Sequence, residues 1–247
     1  MEEKNVNASV DPAEIERFNA LADQWWDPNG PMWPLHRLNA TRVPYIVDTF
    51  CKHRDQSTTD DKPLKGITVL DIGCGAGLLS ESMASRGAHV TAVDPAERNI
   101  AIARQHAKAQ NLDIDYRCGS VENLDGGDFD LVLNMEVVEH VDRLPEFMAA
   151  SCSKIAPAGM QIVATINRNP LSWLVAIVGA EYVLGWLPKG THQWRKFVTP
   201  AETEAMLRAG GMTVVDKRGI SVSPFTRNIR VVGFTGVNYM MASSRDE

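Results

Sequence analysis

A short apolar run that ends in alternating glycines constrains this sequence more than any other feature. Residues 67–72 are rich in β-branched side chains and predict a buried strand, and Gly73, Gly75 and Gly77 follow it ahead of a predicted helix. Glycine adopts positive φ angles and has no Cβ, so such a backbone can turn sharply and approach a ligand closely. Ligands of open parallel sheets lie at the carboxyl ends of the strands. The turn therefore predicts a ligand site in an α/β fold.

Strands and helices alternate along much of the chain, which predicts a doubly wound parallel sheet covered by helices on both faces. The apolar runs that predict further strands are residues 88–93, 114–118, 129–134 and 160–165. Helical patterns lie between them at 78–86, 95–110 and 144–155. A later helix begins at Thr199 and Pro200, and β-structure without helices is predicted at 212–215, 231–234 and 237–242.

The chain divides into a single α/β domain with additions. Residues 1–10 are polar and predict a disordered tail, and residues 11–64 predict an N-terminal helical cap, with one helix from Asp11 and another within 40–53. The core spans 65–247, and an apolar helical insertion at 168–196 interrupts it after the fifth strand. This organisation is expected for a chain of 247 residues.

The composition excludes few classes but favours a globular protein in a reducing compartment. The net charge of -6 argues against a nucleic-acid partner, since phosphates are neutralised by basic surfaces. The four cysteines are scattered without metal-site spacing, and the N-terminus has no apolar signal core. We expect reduced thiols and no secretion.

Acidic residues lie at or near the ends of the first three strands of the predicted sheet. Asp71 lies in the first strand, Asp94 ends the second, where an acid can bind both hydroxyls of a ribose, and Glu122 follows the third, near the expected place of an adenine. Leu78 stands where a dinucleotide fingerprint needs its third glycine, and no Gly-Lys-Ser/Thr of a P-loop is present. A nucleotide-free domain with a tight turn is the alternative.

The glycine turn from Asp71 to Gly77, together with Asp94, resembles the class I S-adenosylmethionine-dependent methyltransferases. The resemblance implies a Rossmann-like sheet with a reversed C-terminal strand and implies S-adenosylmethionine as the cofactor. Asp71 would then lie near the amino-acid half of that cofactor. The charges agree, because the cofactor carries an ammonium and a sulfonium group and Asp71, Asp94 and Glu122 line one edge.

Motifs outside the glycine turn resemble the ubiquinone biosynthesis O-methyltransferases. They are residues 25–27, 34–39, Arg42, 135–141, 166–169, 172–174, 179–182, 188–192 and 237–240. The resemblance implies methylation of a phenolic hydroxyl on a polyprenylated catechol-type ring. It also implies that Arg42, Gly73, Asp94 and Met135 contact the cofactor, with Arg42 suited to pairing with a carboxylate. Another apolar phenol as substrate, or a catalytically silent lipid- or cofactor-binding scaffold, are the alternatives.

Glu136, Glu139 and His140 follow the fourth strand and are the candidate catalytic residues. If Glu136 begins a helix, all three lie on one face and can bind a divalent ion, with Mg²⁺ expected and Zn²⁺ or Mn²⁺ as alternatives. A metal would polarise the catechol oxygens. His140 acting as a general base, or a structural role for the motif, stays open.

The insertion at 168–196 contains a nearly uncharged apolar stretch at 171–187, which Pro170 and Pro188 flank. It is shorter than the roughly 20 apolar residues of a membrane span. A buried lid over the substrate and a helix that lies in an anionic membrane surface are favoured over a true span. The protein is therefore expected in the cytoplasm at the inner membrane, or on the matrix side in a mitochondrion. Other ubiquinone-pathway enzymes are expected as partners by family analogy.

Overall fold

The computed structural model describes residues 15–16, 22–174, 194–223 and 226–246. The predicted tail at 1–10, most of the predicted helix from Asp11 and most of the apolar insertion lie outside the described residues. Among the helices that are described, none has the length and apolar character needed to cross a membrane. The domain boundaries stay predictions.

The described chain contains five helices of two turns or more and eight strands. The helices are α1 (Trp33–His53), α2 (Leu78–Ala84), α3 (Glu97–Ala109), α4 (Leu144–Ser153) and α5 (Pro200–Ala209). The strands are β1 (Thr68–Ile72), β2 (His89–Asp94), β3 (Ile114–Cys118), β4 (Phe129–Met135), β5 (Ile155–Ile166), β6 (Met212–Val222), β7 (Ile229–Val232) and β8 (Asn238–Arg245).

All eight strands form one sheet in the order β3-β2-β1-β4-β5-β8-β6-β7. Strands β1 to β5 are parallel to one another, whereas β8 runs antiparallel to both β5 and β6. The predicted doubly wound sheet with a reversed C-terminal strand is thereby confirmed. The strand order reverses direction at β1 and β4, and this is where open α/β sheets bind ligands.

Two elements differ from the sequence prediction. Strand β5 begins at Ile155 rather than 160, because Ala158 adopts a φ of +56° and a register shift lets Phe129 pair with Ile155. Helix α1 begins at Trp33 and contains Pro44 in its interior. Pro34 occupies its first turn, where a missing N–H costs nothing. The buried side chains of α1 lie between Asn39 and Cys51, on both sides of Pro44, and their packing outweighs the helix-breaking tendency of that proline.

Helices cover both faces of the sheet. On one face, Phe50 of α1, Met83 of α2 and Ile100 of α3 pack against the strands, and all three side chains are almost fully buried. On the other face, Met148 of α4 and Leu207 of α5 do the same. Each buried side chain of this size stabilises the fold by about 1.5–3 kcal/mol. The two cores hold the strand ends in fixed positions.

The reversed strand is joined to α5 by one buried phenol. The Tyr239 hydroxyl donates to the carbonyl of Val198 at 3.0 Å and lies 2.7 Å from the Thr203 hydroxyl.

Tyr239→Phe leaves the buried Val198 carbonyl and Thr203 hydroxyl without this partner. We expect the free energy of unfolding in urea to fall by about 1–3 kcal/mol. Unchanged stability would show that these polar groups find other partners.

Candidate active site

The carboxyl ends of four neighbouring strands meet at one edge of the sheet. Asp71 lies one residue before the end of β1, Asp94 is the last residue of β2, and Met135 is the buried last residue of β4. Glu122 follows β3 in a short 3-10 helix, Val121–Asn123. Because β3, β2, β1 and β4 are adjacent in this order, the fold gathers these predicted site residues along one line.

The glycine turn is fixed by main-chain hydrogen bonds to the end of β2. The N–H groups of Gly73 and Cys74 both donate to the carbonyl of Val93, at 2.8 and 3.1 Å. Gly73, Gly75 and Gly77 have φ angles of +68°, +55° and +89°, as the sequence predicts. A Cβ on Gly75 would overlap the six-membered ring of Trp25, and a Cβ on Gly77 would overlap the Tyr116 hydroxyl. The turn is therefore closely approached by the protein's own side chains.

The Asp94 carboxylate joins the glycine turn to the beginning of α3. Its Oδ2 accepts the N–H of Gly75 at 2.9 Å, and its Oδ1 accepts the N–H of Ala96 at 2.9 Å and the amide of Asn99 at 3.4 Å. Burial raises the pKa of Asp94, and these hydrogen bonds oppose that rise. The carboxylate is thus held in one orientation, and its remaining lone pairs can accept hydroxyl donors.

Asp71 has a different environment. Its Oδ2 accepts the Ser80 hydroxyl at 2.6 Å, and the residue is almost fully buried. Burial raises the pKa of Asp71 to about 6, although the hydrogen bond from Ser80 and the charge of Arg42 oppose the rise. In this structure Asp71 binds α2 to β1, and its predicted closeness to the amino-acid half of the cofactor stays a prediction.

Arg42 of α1 reaches the end of β4. Its Nη1 lies 3.3 Å from Oε1 of Glu136, and its Nε donates to Oδ1 of Asn39 at 2.8 Å. Burial lowers the pKa of Arg42, while the neighbouring carboxylates of Glu136, Asp71 and Glu139 raise it. The predicted pairing of Arg42 with a cofactor carboxylate stays a prediction, since its partner here is Glu136.

Glu139 is buried, with 4% of its surface exposed. Its Oε2 accepts the hydroxyl of Thr165 at 2.7 Å. Burial, and then repulsion by Glu136, raise the pKa of Glu139 to about 8, although Thr165 and His140 oppose the rise. His140 is half-buried and ends the short 3-10 helix that carries Glu139.

The predicted helix from Glu136 is wrong. Glu136 has a φ of +58°, and its N–H donates to the carbonyl of Ala164 in the sheet, so the 3-10 helix begins only at Val138. A left-handed residue cannot occupy a right-handed helical turn. Glu136, Glu139 and His140 therefore do not share a helix face. Within the described part of the chain, no three His, Cys, Asp or Glu residues are grouped so that they could hold a metal ion.

The Glu122 carboxylate has buried oxygens. Both lack a hydrogen-bond partner among the described residues. Buried carboxylate oxygens are strong acceptors, and leaving them without a donor is costly. Amino or hydroxyl donors of an adenosine group fit this position, which agrees with the sequence-based expectation of an adenine near Glu122.

Residues 70–163 match the family described as a methyltransferase domain. A ubiquinone biosynthesis O-methyltransferase from Methylobacterium nodulans is 46% identical over 98% of this chain and 98% of its own length. A protein of the same name from Roseobacter denitrificans is 48% identical over 95% of this chain and 96% of its own.

This chain belongs to the ubiquinone biosynthesis O-methyltransferase family. It is an S-adenosylmethionine-dependent methyltransferase. The resemblance drawn from the sequence motifs is confirmed, because the identity extends through the cap and the insertion as well as the core.

Solved structures support the fold of this family member. Magnesium protoporphyrin IX methyltransferase from Synechocystis PCC 6803, with bound S-adenosylmethionine, aligns with a TM-score of 0.62, at 19% identity, over 97% of this chain and 100% of that one. An S-adenosylmethionine-dependent methyltransferase from Aquifex aeolicus aligns with a TM-score of 0.57, at 14% identity, over 95% and 98%. The class I, Rossmann-like sheet is thereby confirmed.

The residues at this edge of the O-methyltransferase fit the cofactor chemically. S-adenosylmethionine brings an ammonium and a sulfonium group together with hydroxyl and amino donors. The edge offers the carboxylates of Asp71, Asp94 and Glu122, and Glu122 has both oxygens buried and unpartnered among the described residues. Opposite charges and matched donors and acceptors are what binding requires here.

Sequence analysis did not identify the polar partners that orient the site. Ser80 bonds Asp71 and Asn99 bonds Asp94, and neither lies in a motif singled out in the sequence. Asn39, which bonds Arg42, lies in the 34–39 motif, but the motif did not indicate this role. Thr165, the partner of Glu139, lies one residue before the end of β5. Its position near a strand's carboxyl end was the one available signal, because residues there face the ligand side.

Asp94→Asn tests the central acid. An amide offers one oxygen instead of two, and its NH₂ group would face a main-chain N–H of Gly75 or Ala96. We expect S-adenosylhomocysteine binding, measured by calorimetry, to weaken at least tenfold, as for loss of a charged hydrogen bond of about 1.5–3 kcal/mol. Asp115→Asn is the matched control, because that carboxylate is exposed on β3 and pairs with Arg117. Equal affinities of the two variants would contradict the assignment.

Proposed function

We propose that this protein transfers the methyl group of S-adenosylmethionine to a phenolic hydroxyl of a polyprenylated catechol-type precursor of ubiquinone. The observation that carries the proposal is the identity of 46–48% with named family members across nearly the whole chain. Another apolar phenol is the alternative substrate, and a silent scaffold is the alternative role.

The cofactor supplies an electrophilic methyl group on sulfur, and the chain supplies position and charge. Asp94 is held by Gly75 and Ala96, so it can bind hydroxyls without first reorganising. Glu122 offers buried acceptors further along the edge. Met135 ends β4 between these groups and the Glu136–His140 motif, so the proposed substrate ring lies beyond Met135.

A phenol has a pKa near 10 and is mostly neutral at pH 7, so transfer benefits from a base. Among the three candidates, Glu136 is paired with Arg42 and Glu139 is buried against Thr165. His140 is half-buried at the same edge, so a substrate can reach it. In this proposal His140 accepts the phenolic proton, and Arg42, Glu136 and Glu139 set the local charge.

A divalent ion, with Mg²⁺ favoured over Zn²⁺ or Mn²⁺, is a separate prediction for Glu136, Glu139 and His140. The arrangement described above does not fit three ligands around one ion, because Glu136 is paired with Arg42 and Glu139 with Thr165. No step of the proposed reaction involves a metal ion. Activity with and without added ions tests this prediction directly.

An exposed apolar surface supports the proposed membrane contact. Leu171, Trp173 and Leu174 at the beginning of the insertion, Trp194 at its end and Phe234 in the β7–β8 loop are all exposed, Phe234 by 64%. Asn169 connects the end of the insertion with the β7–β8 loop. Its carbonyl accepts the Trp194 indole N–H at 3.2 Å, and its side-chain amide donates to the carbonyl of Gly236 at 2.7 Å. Exposed aromatic side chains favour the interface of a bilayer.

We propose that this apolar surface lies in an anionic membrane, with Arg168, Arg195 and Lys196 near the headgroups. A polyprenyl substrate is dissolved in the bilayer, so such a contact admits it directly. The insertion can serve as a lid at the same time. The location follows as the cytoplasmic face of the inner membrane, or the matrix side in a mitochondrion, in reach of other ubiquinone-pathway enzymes.

His140→Asn tests the proposed base. With labelled cofactor and a short-chain prenyl catechol, we expect kcat to fall about 100-fold or more while S-adenosylhomocysteine affinity changes less than twofold. The same assay is run on the wild type after exhaustive chelation and after return of Mg²⁺, Zn²⁺ or Mn²⁺. Activity lost by chelation and restored by one ion supports the metal. Undiminished activity of His140→Asn overturns the assignment of the base.

Trp173→Glu, Leu174→Glu and Phe234→Glu together test the membrane surface. We expect co-sedimentation with vesicles that contain anionic phospholipid to fall severalfold, since carboxylates are repelled by such a surface. Val215→Glu is the control, because Val215 is an exposed apolar residue on β6 that is not part of this surface. Unreduced sedimentation of the triple variant, with cofactor affinity intact, would refute the membrane role.

A further inference from the structure

Trp25 lies directly on the glycine turn, although it belongs to the segment before α1. Its six-membered ring packs on Gly75 so closely that a Cβ there would overlap it. The side chain is buried, with 8% of the residue exposed, in a small cluster with Ala22, Ala76 and Leu78. Gly75 is the residue whose N–H the Asp94 carboxylate accepts. Trp25 therefore lies at the centre of the cofactor site.

The indole nitrogen of Trp25 is buried, and among the described residues it has no hydrogen-bond partner. Buried tryptophan N–H groups normally have an acceptor, and an unpaired one costs about 1–3 kcal/mol. The neighbouring Trp26 differs in this respect. Its Nε1 donates to the carbonyl of Ala76 at 3.1 Å, inside the same turn. Within the described part of the chain, one of the two indole N–H groups has an acceptor and the other has none.

Contacts on either side of Trp25 fix its position. The ring of Trp26 stacks on His106 of α3, with centroids 3.4 Å apart, and His106 in turn lies 2.8 Å from Oε1 of Glu81. On the other side, the His36 ring nitrogen lies 2.8 Å from the carbonyl of Trp25. These contacts attach the segment to α1, α2 and α3. The Trp25 indole is thus held over Gly75 rather than resting there loosely.

We propose that Trp25 is a cofactor-contacting residue, and that its indole N–H donates to an acceptor atom of the bound cofactor beside Gly75. S-adenosylmethionine offers carboxylate, ribose and ring-nitrogen atoms that can accept a hydrogen bond. Trp25 then supplies a donor where Asp94 supplies an acceptor. The same ring excludes water from the glycine turn, and this strengthens both interactions.

The two tryptophans form a matched pair for the test. Trp25→Phe keeps an aromatic side chain at this position, and it removes one ring of the indole together with the N–H, for which the described residues offer no acceptor. Trp26→Phe removes an N–H that bonds the protein itself. We measure S-adenosylhomocysteine affinity by calorimetry, the melting temperature without ligand, and the change in tryptophan fluorescence on ligand addition.

For Trp25→Phe we expect binding about tenfold weaker. The ligand-free melting temperature is expected to fall less than in Trp26→Phe, because both variants lose one ring of an indole and Trp26→Phe also loses its hydrogen bond to Ala76. The fluorescence change on binding is expected to be largely lost. For Trp26→Phe we expect a lower ligand-free melting temperature and a retained fluorescence change.

Three outcomes would overturn the proposal. Affinity of Trp25→Phe within twofold of the wild type would mean that the N–H meets no cofactor atom. Tighter binding would mean that the indole occupies the site and must leave it. A ligand-free melting temperature that falls as far as in Trp26→Phe would assign Trp25 a structural role, since both variants lose one ring of an indole and Trp26→Phe additionally loses the hydrogen bond to Ala76.

Discussion

The Asp94 carboxylate, which accepts the main-chain N–H groups of Gly75 and Ala96, is the interaction on which the site depends. It joins the end of β2 to the turn after β1 and to the beginning of α3. A buried carboxylate is stable only when donors surround it, and one donor here comes from the glycine turn while another comes from the beginning of α3. The turn, the acid and the helix are therefore one unit, and the orientation of each depends on the other two.

At the other end of the site, buried groups of opposite charge lie close together. Arg42 lies among Glu136, Glu139 and Asp71, and it is contributed by α1, outside the sheet. A guanidinium among three carboxylates limits how strongly those carboxylates repel each other. Glu139 still has a raised pKa, because burial dominates. The N-terminal helical part is thus an electrostatic component of the site as well as a cover.

Trp25 and Trp26, which precede α1, contact the glycine turn. His36, at the beginning of α1, contacts the carbonyl of Trp25. One face of the site is therefore built by segments that precede the sheet in sequence. A methyl-transfer site must exclude water around its reacting groups, and aromatic rings fixed by several contacts do this without moving.

Local sequence patterns determined the sheet, the glycine turn and the acids at its edge, because strand periodicity, glycine spacing and strand ends are short-range properties. The position of Asp94 at the end of β2 could be predicted from the strand pattern alone. Tertiary structure decided what each buried charge meets: Arg42 meets Glu136, Asp71 meets Ser80, and Glu139 meets Thr165. It also placed Glu136 in a left-handed conformation that no helical pattern predicts. These partners are distant along the chain, and only the packing of α1, α2 and β5 against the sheet brings them together.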